Sequence, residues 1–472
     1  MPQPAESKIQ FSLAALILIA AFAFITFYRL GVRPLQDYDE AIYAQVAREA
    51  MQNGNQLGFT WMGNPPMHRT EMWFEKPPVL IWLTELSYAI FGVNEFAARF
   101  WPALLAVLTL PLAFLFARAL SQSHAAAFFA VAAFFAAFQF DDDARIMQMD
   151  IPVGFFVLLA LFAFWRAREN PKFQLLFWGT LAFGLMIKSV IGLLPLPVIF
   201  LFSLFSRDFG WLKNKNFWFG LLLFLVLILP WHIIESIRYG REFWHQYLFY
   251  HLLERYSGAL EGNSGPFSFY LGIFWREQIF FWGAASALVV FAVKSFKLPA
   301  YLFITVALLF IFFFFSEAGT KLPPYILVIY PYAAIAMGLA LADFSQWLGK
   351  FQKHLGNAAV TAAVLVLVVS GFQNARANLV AEITPQLVSD KAVGEYLKTH
   401  CLNEPVYYYS LIRLKPSIIF YSDRTVGYFA DYQKSPPAGP FALIAPNAPN
   451  FPDKTVLYSA ETEKVYQIGK PF

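Results

Sequence analysis

Residues 150–188 read DIPVGFFVLLALFAFWRARENPKFQLLFWGTLAFGLMIK. Two apolar stretches, 150–166 and 173–187, flank a short turn that carries Arg166, Arg168 and Lys172. A helix needs roughly 20 apolar residues to cross about 30 Å of hydrocarbon. Each stretch is a few residues short of that, and the pair reads as two membrane spans joined by a basic connection. Working outward, similar runs lie near 11–29, 97–118, 124–140, 190–206, 217–234, 276–293, 299–315, 323–343 and 356–374. The hydropathy pattern thus predicts about eleven spans. The stretch 77–91 is shorter and carries Glu85, which suits either a further span or an interfacial helix.

Composition agrees. Of 472 residues 58% are hydrophobic and 19% aromatic, but only 14% are charged, against about 25% in a soluble domain. The mean hydropathy is +0.51. Disordered, coiled-coil, collagen-like and nucleic-acid-binding classes are excluded: the net charge is only +4 and the basic residues are scattered between apolar runs. Cys401 is the single cysteine, so no intrachain disulfide or cysteine-based metal site can form. The first apolar run, 11–28, is too long for a signal-peptide core and no small-residue cleavage site follows, so it is expected to be a retained anchor.

Arg118, the Arg166–Arg168–Lys172 group, the Arg207–Lys213–Lys215 group, Lys294 with Lys297, and Lys350 with Lys353 fall in alternate connections. They belong together on the cytoplasmic side, which places the N-terminus inside and the tail after 375 outside; Arg29 and Arg33 run against this and are outvoted. The outer segments 30–96, 141–149, 235–275 and 316–322 hold most of the remaining ionisable residues, and ionisable groups at membrane depth are costly and usually functional. The expected architecture is an α-helical polytopic membrane protein of 11–13 spans. A transmembrane domain (1–375) carries large outer loops at 30–96 and 235–275. A small α/β domain (376–472) follows, with a helix at 386–399 and β-like runs at 406–410, 417–422, 425–429, 441–445 and 455–459, the later ones separated by turns such as SPPAGP.

The first outer loop opens with Asp37-Tyr38-Asp39-Glu40, followed by Ile42, Val46 and Ala50 at helical spacing and Gly54 as the stop. Asp37 and Glu40 form an Asp variant of the capping box, which leaves Asp39 without a capping duty. The loop ends in Glu75-Lys76-Pro77-Pro78, an acid and a cation ahead of a stiff proline pair.

These motifs resemble a known family. An Asp-Glu-x-x-Tyr helix after the first span (Asp39, Glu40, Tyr43), Glu-Lys-Pro-Pro before the next apolar segment, and Ala-Arg-(x)4-Asp (Arg145, Asp150) before a later one occur together in C-superfamily bacterial membrane glycosyltransferases. The lipid A aminoarabinose transferases and protein-mannosyltransferase-like enzymes are the nearest group. The resemblance implies a multi-pass protein of the bacterial cytoplasmic (inner) membrane that moves a sugar, with inversion, from a polyprenyl (undecaprenyl) phosphate donor to an envelope acceptor such as lipid A, another glycan or a protein. It assigns Asp39 as catalytic base and Glu75 with Lys76 to the site. Arg145, Asp150, Lys188, His251, Glu40 and Tyr43 fall on the substrate side. Arg255, Lys321 and Tyr325 (KLPPY) join Lys76 on the donor phosphate. Ser189 stands where the family has glycine after the lysine.

The chemistry demanded is consistent with those residue types. A lipid phosphate leaves with growing negative charge, which fixed cations in a partly dry site stabilise. Arginine offers bidentate phosphate contacts and lysine a point charge. A carboxylate such as Asp39 orients the acceptor and takes its proton late in the reaction. The sequence requires no cofactor and leaves a divalent metal open: His68, His245 and His251 with Glu75 are zinc-binding types, but their separations fit no compact ligand pattern, and Glu75 and His251 remain the candidate ligands. The Asp141–Asp143 run reads as a solvated turn. A transporter or flippase of a polyprenyl-linked glycan is the alternative class, and a glycan polymerase or ligase a third. Transporters place charges near the midplane on broken helices and often show repeated halves, whereas here the charges gather at one face and no halves match.

Overall fold

The computed structural model describes residues 5–61, 72–260, 262–380, 383–400, 404–409, 415–429, 440–446 and 454–468. In chain order the first helices are α1 (Ala5–Phe27), α2 (Asp39–Asn53), α3 (Val79–Phe91), α4 (Glu95–Ser121), α5 (His124–Phe135), α6 (Phe138–Asp143), α7 (Asp150–Ala167), α8 (Phe173–Lys188) and α9 (Pro195–Ser206). They are followed by α10 (Lys215–Trp244), α11 (Arg255–Ser257), α12 (Phe269–Arg276), α13 (Gln278–Lys294), α14 (Pro299–Glu317), α15 (Tyr330–Phe351), α16 (Lys353–Val380), α17 (Pro385–His400) and α18 (Pro416–Ser422). A π-helical segment, His245–Glu254, extends α10, and 3-10 turns cover Ser189–Leu193 and Pro323–Ile329. The strands are β1 (Phe59–Thr60), β2 (Met72–Trp73), β3 (Val406–Tyr409), β4 (Val426–Phe429), β5 (Phe441–Ala445), β6 (Lys454–Ser459) and β7 (Lys464–Ile468).

Among the described residues eight helical segments are long and apolar enough to cross a membrane, and α12 with α13, bent by 117°, makes a ninth. The chain is a multi-pass membrane protein. The rest of the 11–13 spans expected correspond to α3, α5 and α9, apolar helices of 13, 12 and 12 residues. The run 124–140 is not continuous: the backbone leaves the helix at Ala137 (φ −80°, ψ 94°) and restarts as α6. The Asp141–Asp143 segment is therefore helical rather than a turn, and Asp141 and Asp143 are buried rather than solvated.

The chain divides into two compact units. The first comprises Met1–Tyr28, Glu75–Leu80 and Pro102–Val380. Its helices close on one another through small residues, as lipid-embedded helices do when packing rather than hydrophobic exclusion drives association. A Cβ on Gly338 of α15 would lie 2.5 Å from the Ala130 nitrogen of α5, so only glycine lets these two helices touch there. Glu277 sits at the bend between α12 and α13. Its carboxylate accepts the Phe138 amide (2.7 Å) and the Tyr330 hydroxyl, tying the bend to the starts of α6 and α15.

The second unit comprises Arg29–Phe74, Ile81–Trp101 and Ala381–Phe472. It differs from a boundary at residue 375, because the first outer loop falls with the tail. A five-stranded sheet, ordered β4-β3-β5-β7-β6, pairs β3 in parallel with β4 and β5, and β7 antiparallel to β5 and β6. Phe441, Leu443 and Ala445 pack with Tyr466 and Ile468 on one face. Residues 417–422, expected as a strand, form α18: Pro416 starts the helix, and all seven of its residues are buried, so no alternating pattern existed to mark either form. Strand β7 went unforeseen, and the SPPAGP turn at 435–440 lies outside the described residues except for its last position.

Arg99 is the organising side chain of this unit. Its guanidinium, 1% exposed, donates to both Glu40 carboxylate oxygens (2.7 and 3.0 Å) and to the carbonyls of Leu30, Arg33 and Pro34. Arg48 donates to the Phe420 carbonyl (2.7 Å) and pairs with Asp423, while Glu95 accepts from Lys391 and Tyr421. Removing one member of a buried pair strands the other charge. Arg99→Leu is therefore expected to lower stability by about 3–5 kcal/mol, seen as a fall in the thermal midpoint of the solubilised chain, and the double variant Arg99→Leu/Glu40→Leu should recover most of it.

Candidate functional site

Within the first unit, four of the expected residues converge. Asp150 opens α7 and Lys188 closes α8. The Lys188 ammonium lies 2.5 Å from an Asp150 carboxylate oxygen, with both side chains largely buried. The same ammonium sits 4.6 Å from the centre of the Tyr325 ring, and the Tyr325 hydroxyl accepts from Arg255 at 3.1 Å. An acid at a helix N-terminus and a cation at a helix C-terminus each complement the helix dipole. The chain leaves α8 through Ser189 at φ 46°, ψ −133°, a conformation suited to glycine and costing about 1–3 kcal/mol in other residues. The backbone form that glycine would supply is thus kept without glycine.

Lys321 is buried and its ammonium donates to the Ala318 carbonyl. Its segment is laced to that of Arg255: Gly319 donates to the Tyr256 carbonyl (2.7 Å), Thr320 to the Arg255 carbonyl (3.0 Å), and the Thr320 hydroxyl to the Gly258 carbonyl (2.9 Å). A Cβ on Gly319 would lie 2.6 Å from the Gly258 carbonyl carbon, so the approach needs glycine. His251 lies in the π-helical segment before Arg255, half-buried and edge-on to Tyr250. The 235–275 loop is therefore mostly helical. Glu75 and Lys76 pair at 3.9 Å, both largely buried. Arg145 donates to the Ile25 and Thr26 carbonyls (2.6 and 2.9 Å), capping the end of α1.

In the second unit Asp39 is the exposed first residue of α2, preceded by Tyr38 at φ 65°. The capping box does not form. Asp37 instead accepts from the Ser417 amide and hydroxyl and pairs with Lys415 (3.1 Å), while Glu40 accepts the Gln36 amide and belongs to Arg99. Tyr43 is buried edge-on against Trp73. Glu40 and Tyr43 thus help pack the second unit's interior, and Arg145 ties α1 to its own segment.

Residues 75–234 match the family described as dolichyl-phosphate-mannose-protein mannosyltransferase. An uncharacterized protein of Aquifex aeolicus is 30% identical over 336 residues, covering 70% of this chain and 63% of its own length. The undecaprenyl phosphate-alpha-4-amino-4-deoxy-L-arabinose arabinosyl transferase 2 of Proteus mirabilis is 27% identical over 374 residues, 75% and 66% respectively. The chain spans just under two thirds of the length of these curated relatives. Among solved structures, apo ArnT from Cupriavidus metallidurans superposes with a TM-score of 0.79 at 18% identity, over 97% of this chain and 99% of that one. The oligosaccharyltransferase AglB from Archaeoglobus fulgidus gives 0.60 at 14% identity, over 87% and 64%. The chain therefore shares the fold of ArnT and, over less of its partner's length, of AglB. The expected resemblance is borne out.

Residues outside the motifs also hold buried polar positions in the first unit. Glu277 stood at the edge of an apolar run, a signal that ionisable groups in such runs carry a duty. Gly319 stood before Thr-Lys and a proline pair, a turn signal with no hint of its close contact. Asp143 is buried, donated to by Gln139 (2.6 Å), and near Asp142, Asp150 and Glu277. Burial pushes its carboxyl up to about 7, and the neighbouring carboxylates add to this. Among the described residues no three His, Cys, Asp or Glu side chains come together so as to hold a metal, so Glu75 and His251 are not joined in such a set. His68 lies outside the described residues.

Gly319→Ala should force the Arg255 and Lys321 segments apart and cost about 1–3 kcal/mol in stability, measured by thermal unfolding, with activity falling further than the midpoint. Asp143 gives a pH test. The folded chain holds a proton there that the unfolded chain releases near pH 4, so its stabilising contribution is complete below about pH 4 and lost as pH rises through about 7. Asp143→Asn should remove about one proton's worth of that slope between pH 4 and 7.

Proposed function

We propose that this chain is an inverting glycosyltransferase that moves a sugar from a polyprenyl phosphate donor, undecaprenyl phosphate in bacteria, to an acceptor of the cell envelope such as lipid A, another glycan or a protein. The observation that carries the reading is the convergence of Lys188, Asp150, Tyr325 and Arg255 at one end of an apolar helix bundle. Relatives named as undecaprenyl phosphate-alpha-4-amino-4-deoxy-L-arabinose arabinosyl transferases support the donor class. The distribution of Lys and Arg supports an inner-membrane orientation with this end facing outward.

In the proposed reaction the bond between the anomeric carbon and the phosphate oxygen breaks, and its electron pair leaves with the lipid phosphate. The acceptor oxygen or nitrogen bonds to the anomeric carbon from the opposite face, and its proton passes to a carboxylate. Arg255 and Lys321 neutralise the departing phosphate, with Lys76 as a further cation. Tyr325 positions Arg255 through its hydroxyl and shields Lys188 with its ring. Asp150 holds the Lys188 ammonium in one place. Asp39 is the proposed proton acceptor, Glu75 the partner that holds Lys76, and His251 a substrate-side group.

The decisive experiment supplies the purified chain with a labelled polyprenyl phosphate sugar and envelope lipids. Transfer of one sugar mass to an acceptor, read by mass spectrometry, supports the enzyme; translocation without transfer would replace it with a flippase. Arg255→Ala and Lys321→Ala should each slow transfer about a hundredfold to a thousandfold, as loss of a transition-state charge partner does. Asp39→Asn with full activity would remove the base role from that residue.

A further inference from the structure

The first unit holds a cleft of about 450 Å³ at the end of its helices opposite Lys188 and Asp150. Arg168, Trp165, Lys294, Leu298, Tyr301 and Asp343 line it. Helix α7 shows the separation: Asp150 opens it, Arg168 follows its last turn, and 18 residues at 1.5 Å each span about 27 Å. The cleft is thus a full bundle length from the proposed transfer chemistry, which uses none of its residues.

Its charges are unevenly spent. Asp343 is saturated: one oxygen takes Lys294 at 2.6 Å and the other the Tyr301 hydroxyl at 2.5 Å. The carboxylate nearest Arg168 in sequence, Glu169, is taken by Arg166 at 2.6 Å. The Arg168 guanidinium is exposed, lies 4.7 Å from the Trp165 ring centre and 5.6 Å from that of Phe202, and pairs with no carboxylate among the described residues. Two aromatic faces orient it while its N–H edge stays open, the arrangement in which arginine forks onto a phosphate. The remaining wall is mixed: Leu120, Leu298 and Leu339 form an apolar strip beside Trp165, and Ser121, Ser123 and Gln346 are its polar part.

The geometry points to a binding site for the phosphate head group of an anionic phospholipid in this cleft, with Arg168 as the phosphate ligand and the apolar strip against the lipid's glycerol and first acyl carbons. A basic pocket between helices, on the side where short loops are rich in Lys and Arg, is where the negative lipids of the inner leaflet concentrate. The apolar strip and the position at the ends of spanning helices favour a lipid over a free anion. The inference is independent of the sugar-transfer reading, since the two lie at opposite ends of the bundle.

Native mass spectrometry of the full chain in neutral detergent, titrated with phosphatidylglycerol, phosphatidylcholine or inorganic phosphate, tests it. Saturable retention of phosphatidylglycerol is expected, weakened at least tenfold by Arg168→Gln and by Arg168→Glu, and largely restored by Arg168→Lys. Equal retention of phosphatidylcholine, or unchanged phosphatidylglycerol affinity in Arg168→Gln, overturns the site. Displacement of the lipid by low millimolar inorganic phosphate overturns the lipid assignment in favour of a free anion. Arg168 is exposed and its ring contacts survive in Arg168→Lys only as a point charge, so an unaltered thermal midpoint in the glutamine variant separates lost binding from lost folding.

Discussion

A lysine ammonium pressed against an aspartate carboxylate at the end of an apolar bundle is the constraint around which the first unit is organised. Neither charge could be buried alone, because taking a single ion out of water costs several kcal/mol even after relaxation. Together, Asp150 at the start of α7 and Lys188 at the end of α8 satisfy each other and both helix dipoles. Holding the ammonium there obliges the chain to leave α8 through a serine at positive φ, and the Tyr325 ring covers what the carboxylate does not. The Arg255 and Lys321 segments are then laced together by backbone hydrogen bonds across a glycine contact, so that the site's cations are fixed by main chain rather than by flexible side chains alone. Preorganised charge of this kind is what the departing phosphate of the proposed reaction would require.

The second unit solves the same problem with a different partner set. Its tail is close to the size below which a core struggles to hold by itself, and it does not stand by itself. Arg48, Glu95 and Asp37, all from the first 101 residues, reach the carbonyl of Phe420, the hydroxyl of Tyr421 and the side chains of Ser417 and Lys415. Lys415 lies between Asp37 and Asp390, and burial raises the Asp390 carboxyl to about 6 despite that cation. Buried polar groups so connected specify one arrangement, since any slip leaves a charge without its partner.

Much of this was legible in the residues. The apolar runs announced the bundle because crossing length is set by bilayer thickness, and Gly54 announced the end of α2, which it closes at φ 63°. Asp150, Lys188, Arg255 and Lys321 stood out because ionisable groups beside apolar runs are expensive unless used, and Tyr325 because the KLPPY motif resembles that of the membrane glycosyltransferases. Other readings failed for a common reason. The Asp37–Glu40 spacing suggested a capping box, yet Ser417 and Arg99, hundreds and tens of residues away, competed for those carboxylates and won. SIIFYS is buried on every side, so neither a two-residue nor a 3.6-residue period could show itself.

The sequence by itself determined that the chain is a multi-pass helical protein, where its apolar helices lie and which titratable residues sit beside them, because hydrophobicity, length and charge are properties of the linear chain. Only the tertiary structure decided which acid meets which cation, that Glu40 pairs with Arg99 and Arg145 reaches the end of α1 while Lys188 and Arg255 gather around Tyr325, and that the first outer loop folds with the tail. Those outcomes rest on contacts between distant segments, and a buried charge takes the partner that the fold brings within hydrogen-bond reach, whatever its neighbours in sequence suggest.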